Sequence, residues 1–299
     1  METLKDVFQT RIRNQISNVI LFGSVIGLTA TGLVAGATAA VLVVGRTPAH
    51  AWSPVFQLLT VVLLTVAGLS AGVFASLLVS PIVLRYAFFA NPLGDWNGIA
   101  VYSAADEDLP GHAPNVFVAG FSFGIAPFRP AIFIAEGAIR VLSRESLEAV
   151  FAHEVSHLEC AHLSKRLVAG VTTFVTASFL TAITLIGLHW SGYAEIGGIF
   201  SAISGVVPAV LTWMTIRQLI WRQELEADRN ALDRHGVAPA ALLSALETLQ
   251  RAIGGEPHPL VASRMEACRS RIMANDLARG NDRAAGAETD ASEKSSIAA

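Results

Sequence analysis

Charged side chains are scarce in this sequence. Asp, Glu, Lys and Arg make up 15% of its 299 residues, against about 25% in an ordinary soluble domain. The chain is also 53% apolar before any of its 24 glycines is counted, and its mean hydropathy is +0.52. Together these figures exclude an ordinary cytosolic globule and a disordered chain. Cysteine is nearly absent: Cys160 and Cys268 alone cannot build a disulfide framework. Neither sign of charge is in excess. A formal net charge of −3 and a pI near 6.2 leave no basic face for nucleic acid. The composition is that of a membrane protein.

The distribution of the missing charge locates the membrane segments. No Asp, Glu, Lys or Arg occurs over 14–45, 47–84, 167–194 or 196–216. Each gap can supply the roughly 20 apolar residues that cross a hydrocarbon core of about 30 Å. The expected spans are 19–44, 57–83, 168–188 and 196–216. The last two are weaker, thinned by Thr and Ser and interrupted by Pro208. A cleavable signal peptide fits the first span poorly, because the apolar run is too long for such a signal. Of 21 Lys and Arg residues, only Arg46 falls in an expected hairpin loop. The positive-inside rule then predicts cytoplasmic termini and a cytoplasmic central segment.

The chain divides accordingly. Residues 1–85 hold an N-terminal segment and spans one and two, and 86–166 the first polar part. Residues 167–216 form spans three and four, and 217–274 the second polar part. The two polar parts are each short for an independent domain and are expected to fold together. From 275 to 299 the sequence, rich in Ala, Asp, Glu, Gly and Ser, reads as a disordered tail.

The chemistry lies just before the third span. Ser143 is placed to cap a helix, with Glu145 in its first turn, where the helix dipole favours an anion. Leu147, Val150, Phe151 and Val155 continue the helical spacing. On that helix lies His153-Glu154-Val155-Ser156-His157, an HExxH pattern. Residues four apart share one helix face, so both imidazoles can reach one zinc ion. Glu154, on the adjoining face, suits removal of a proton from water at the metal.

A zinc enzyme needs a third protein ligand. The metzincin spacing fails, because Leu163 stands where the histidine belongs and Cys160 where the glycine belongs. Cys160 and His162 are nearby but are carried along the helix axis away from the pair. Glu224, in Gln223-Glu224-Leu225-Glu226-Ala227-Asp228 just after the fourth span, is the other candidate. Asp228 shares its face and can orient a ligating histidine. Such residues also occur as a merely solvated acidic face.

HEVSH followed by a membrane hairpin and then ELEAD resembles the HtpX-like membrane zinc metallopeptidases, relatives of the CAAX prenyl endopeptidases. The resemblance spans roughly residues 15–270. It takes in Asn115-Val116-Phe117-Val118-Ala119-Gly120, similar to the family's Asn-Ala-Phe-x-x-Gly segment with Val116 in place of Ala. It also takes in His258-Pro259 with Arg264 downstream, similar to a family His-Pro…Arg element. The resemblance implies Glu224 as third ligand to one zinc per chain and Asp228 as its supporting partner. It implies His258 and Arg264 as donors to the developing oxyanion, and a role in quality control of membrane proteins at a bacterial inner membrane. Glu226 is in the wrong register for the metal and reads as surface, while His162 reads as a surface histidine or as a residue at the edge of the site.

Residues 115–119 and Ala131–Ala135 are β-branched and aromatic runs bounded by Pro and Gly, so they read as strands. An exposed strand edge can bind an extended peptide, which makes Asn115, Phe117, Ile132 and Ile134 candidate substrate contacts. The expected architecture is a mainly α polytopic membrane protein. It would have four transmembrane helices and a cytoplasmic α+β zincin-like (gluzincin) domain with a small sheet. Its expected partners are protein or peptide substrates and the lipid bilayer. A CAAX-type processing peptidase and a non-enzymatic scaffold or transporter retaining a zinc site are the alternatives.

Overall fold

The computed structural model describes residues 24, 27–46, 54–109, 115–121, 126–192 and 206–297. Three of its helices are long and apolar enough to cross a membrane. They are α1 (Gly27–Arg46), the stretch Thr60–Ala87 of α2 (Pro54–Ala87) and the stretch His162–Thr184 of α5 (His162–Trp190). These correspond to the first three expected spans. The expected fourth lies partly at 196–205, outside the described residues. Its remainder opens α6 (Val206–Asp233), which does not qualify as a span among the described residues.

Where α1 meets α2 the two backbones touch. Gly32 and Gly36 on α1 face Gly68 and Gly72 on α2. A Cβ added at Gly32 would sit 2.8 Å from the Gly72 Cα, and one at Gly68 would sit 2.7 Å from the Gly36 Cα. Both helices thus carry a glycine–three–glycine spacing, which lets membrane helices approach closely where no hydrophobic force drives them together.

A four-stranded sheet follows α2, in the order β1-β2-β4-β3. Strands β1 (Asn91–Trp96) and β2 (Ile99–Ala104) form a hairpin. Its two turn residues, Asn97 and Gly98, both have positive φ (48° and 80°), the geometry that matches strand twist in a two-residue loop. Strand β4 (Ala131–Ala135) pairs parallel with β2 and antiparallel with β3 (Val116–Ala119). It is buried along its whole length, the expected fate of a short run of Ile, Phe and Ala with no polar face. Phe133 stacks on Tyr102 and on Phe117, each 5.5 Å away between ring centres. Phe88, just past the end of α2, meets Phe133 edge-on at 6.2 Å, tying the membrane helix to the sheet.

The sheet leads into α3 (Glu136–Val141) and then α4 (Arg144–Glu159). As expected, Ser143 caps α4, its hydroxyl accepting the Ser146 N–H at 3.1 Å. Val150, Phe151 and Val155 pack α4 into the core beneath the sheet. Ala149 packs it against α7 (Pro239–Ile253) and α8 (Pro259–Ile297), through Leu242, Leu246, Met265 and Cys268. Helix α4 is therefore wedged between two apolar clusters. Helix α8 continues to Ile297 and so takes in residues 275–297 of the expected tail.

Candidate metal centre and peptide-binding edge

Helix α4 presents His153 and His157 one turn apart, with their Nε2 atoms 3.2 Å from each other. Helix α6 runs beside it and brings Glu224 to the same point. Its Oε2 is 3.3 Å from His153 Nε2, and its Oε1 is 3.5 Å from His157 Nε2. The three donors form a nearly regular triangle. A tetrahedral zinc with bonds of about 2.0–2.1 Å sets its ligand atoms roughly 3.3–3.4 Å apart. Two imidazoles and a carboxylate, with one position left open, are also the donor set of a catalytic zinc site. The residues fit the ion in chemistry and in spacing.

Around this triangle the polar groups are paired. Asp228, one turn beyond Glu224, places Oδ1 2.8 Å from His153 Nδ1. Arg264, from α8, grips Asp228 with two hydrogen bonds, Nε to Oδ2 at 2.7 Å and Nη2 to Oδ1 at 2.8 Å. Its Nη1 stands 3.2 Å from Glu224 Oε2. Arg166 donates to Gln223 and approaches Glu224 Oε1 at 3.7 Å. Three carboxylates (Glu154, Glu224, Asp228) against two guanidiniums leave the cluster net anionic, which suits a divalent cation.

The electrostatics follow from that pairing. Burial alone would push the Glu224 and Asp228 carboxyls up, but both are held below their ordinary range. Hydrogen bonds from His153 and from His157 or Arg264 outweigh burial. Burial, and then Arg264, work against a charge on His153. Hydrogen bonds to Asp228 and Glu224 prevail and raise it to about 9. Glu154 moves the other way: burial raises its pKa, and the neighbouring histidines offset only part of that. A carboxyl raised in this manner is suited to take up and return a proton.

Glu154 Oε2 accepts the Val118 N–H at 3.0 Å, which joins the helix to the sheet edge. Strand β3 is that edge. Its odd-numbered residues bond to β4, as shown by the Ala135 N–H donating to the Asn115 carbonyl at 2.8 Å and by the register Phe117–Phe133 and Ala119–Ala131. The backbone groups of Val116 and Val118 therefore point away from the sheet. They line a cavity of about 370 Å³, together with Asn115, Phe117, His153, Glu154, His157, Glu224 and Arg264.

Several expected site residues are not brought there. Ile132 and Ile134 are fully buried on the central strand β4; they support β3 and do not line the cavity. His258 is exposed ahead of α8, its Nδ1 accepting the Leu260 N–H at 3.2 Å. It is a helix-cap residue outside the cavity lining. Glu226 is exposed, as expected, whereas His162, read as a surface histidine or a residue at the edge of the site, is 1% exposed and touches His157. No helical spacing links residues 157 and 162. The contact arises because Ala161 adopts a left-handed φ of 51° and turns the chain between α4 and α5.

An HExxH helix, a carboxylate from a second helix and an adjoining sheet edge define a zincin-like metallopeptidase site. The chain matches the model of peptidase family M48 over residues 104–272, more than half its length, and it belongs to that family. It is 31% identical over 163 residues to a protease HtpX homolog of Burkholderia multivorans, covering 51% of this chain and 54% of the relative. To a protease HtpX homolog of Ralstonia nicotianae it is 25% identical over 250 residues, covering 72% and 86%. The alignments to the Burkholderia relatives thus take in only about half of those proteins. Among solved structures, that of Ste24p from S. mikatae superposes with a TM-score of 0.53 over 89% of this chain and 66% of that one, at 15% identity. At that identity the likeness is one of fold.

Proposed function

We propose that this protein is a zinc-dependent membrane endopeptidase that hydrolyses peptide bonds in misfolded or damaged membrane proteins. The observation that carries the reading is the triangle of His153, His157 and Glu224 donors, with sides of 3.2 to 3.5 Å. Family membership and the relatives named as proteases support it. When bound, zinc would supply a Lewis acid that polarises the scissile carbonyl and lowers the pKa of attacking water.

The protein's own groups supply the rest. The Val116 and Val118 N–H groups are engaged by Asn115 Oδ1 and Glu154 Oε2, so the outward carbonyls of this edge take up an extended substrate as an added strand, with Phe117 beside it. Glu154 removes a proton from the attacking water and returns it to the leaving amine. Arg264, held in place by Asp228, sets a positive charge beside the reacting centre, where negative charge develops. Asp228 orients His153 through Nδ1.

Three apolar helices, together with the expected span at 196–216, support a four-span protein. The basic residues flanking them support a cytoplasmic site at a bacterial inner membrane. The test is Glu154→Gln in detergent-solubilised protein. Zinc content should be unchanged and cleavage of an unfolded membrane substrate lost. Retained cleavage overturns the mechanism. Cleavage of a lipidated peptide in preference to that substrate would point instead to a processing role.

A further inference from the structure

We propose that His162 is a positioning residue for the metal ligand His157, accepting its Nδ1–H, with Glu226 fixing the tautomer in which His162 can do so. The inference rests on the reading above, in which His157 holds zinc through Nε2. A neutral imidazole bound through Nε2 carries its proton on Nδ1, and that N–H is directed away from the metal into the protein. Without an acceptor it would be an orphaned buried donor.

His162 Nδ1 lies 2.7 Å from His157 Nδ1. It can accept only if its own proton sits on Nε2. That Nε2 is fully enclosed and makes no hydrogen bond of good geometry, but it faces Glu226 Oε2 at 3.3 Å. A carboxylate there favours the Nε2–H form, which frees Nδ1 as the acceptor. Lys165, 3.6 Å from Glu226 Oε1, keeps that carboxylate in place, and Gln223 donates to the His162 carbonyl at 3.3 Å.

The arrangement parallels the other ligand. His153 Nδ1 meets Asp228 on α6, and His157 Nδ1 meets His162 at the start of α5. Each imidazole is therefore aimed by a partner on a different helix. Such partners fix ring orientation, and removing one typically costs about 10–100-fold in metal affinity.

The test measures zinc affinity of the full chain in detergent by competition with a chromophoric chelator. It adds the visible spectrum of the cobalt-loaded protein. His162→Phe, which keeps ring volume and removes the acceptor, should weaken zinc binding about 10–100-fold and shift the cobalt bands. His162→Asn places an amide oxygen near the former Nδ1 and should restore most of both. Where the Phe variant does not fold, His162→Gln, whose amide reaches past that point, replaces it in the comparison with Asn.

Unchanged affinity in the Phe or Gln variant overturns the proposal, as does equal weakening in Asn. A third contrary result is loss of a separate second zinc equivalent, matched in Cys160→Ser. It would make Cys160, His162 and Glu226, whose donor atoms lie within 4.8 Å of one another, a metal site of their own. His157→Ala tests the parent reading independently. If it binds zinc as tightly as wild type, the metal site itself is misassigned.

Discussion

Two helix contacts in this protein are built on opposite principles. Where α1 meets α2, four glycines let the backbones touch, and the contact depends on side chains being absent. Where α4 meets α6, the contact is made by charged and ring-bearing side chains: His153, His157, Glu224 and Asp228, clasped by Arg264. The first suits a medium that offers no hydrophobic drive between helices, so shape alone brings them together. The second suits a water-poor cleft, where every buried charge must be answered by another. One protein thus assembles its membrane part by removing atoms and its chemical part by pairing them.

The contrast can be broken from either side. The largest effect is expected from Glu224→Ala, which removes a metal donor and leaves Arg264 and Arg166 facing an unbalanced site. Tightly bound zinc, measured by elemental analysis, should be lost, and a full equivalent remaining would exclude Glu224 as a ligand. Asp228→Asn keeps the shape but weakens the grip on His153 and Arg264. Zinc affinity should drop about 10–100-fold, and a wild-type titration curve would show that the 2.8 Å contact orients nothing.

Gly68→Leu attacks the other contact. Overpacking typically costs about 1–3 kcal/mol, so the melting temperature in detergent should fall while zinc content stays at one equivalent. Zinc loss in step with melting would show that the two regions are not separable. The smallest effect belongs to the turn between α4 and α5. Ala161 holds a left-handed φ, which costs an L-residue about 1–2 kcal/mol, so Ala161→Gly should raise thermal stability slightly with zinc affinity intact. A lowered melting temperature would mean that the turn contributes no strain.

How far the site could be read from the chain depends on the range over which each feature is decided. The HExxH helix was legible because a cap, an i,i+4 pair and an apolar stripe are all local. The Glu224–Asp228 pair was legible for the same reason, although its approach to α4 was not. Expectation failed at Ile132 and Ile134. A strand's composition tells that it is buried but not whether it lies at the centre or the edge of its sheet. His258 likewise looked like a donor because of its motif, while the fold uses it to cap α8. His162 looked like surface because its partner His157 lies across a single left-handed residue that no periodicity announces.

Sequence by itself determined that this chain spans a membrane and carries a helix able to offer two imidazoles to one metal, with a carboxylate beside them suited to act as a base. Charge placement and the 3.6-residue period are properties of consecutive residues, so no folding is needed to see them. Only the tertiary structure decided that β3 is the open edge, that Glu224 closes the donor triangle and that His157 rests against His162. Those facts depend on which elements pack side by side. That outcome is set by the summed burial and pairing of residues from 5 to 111 positions apart, as in His157 with His162 and His153 with Arg264.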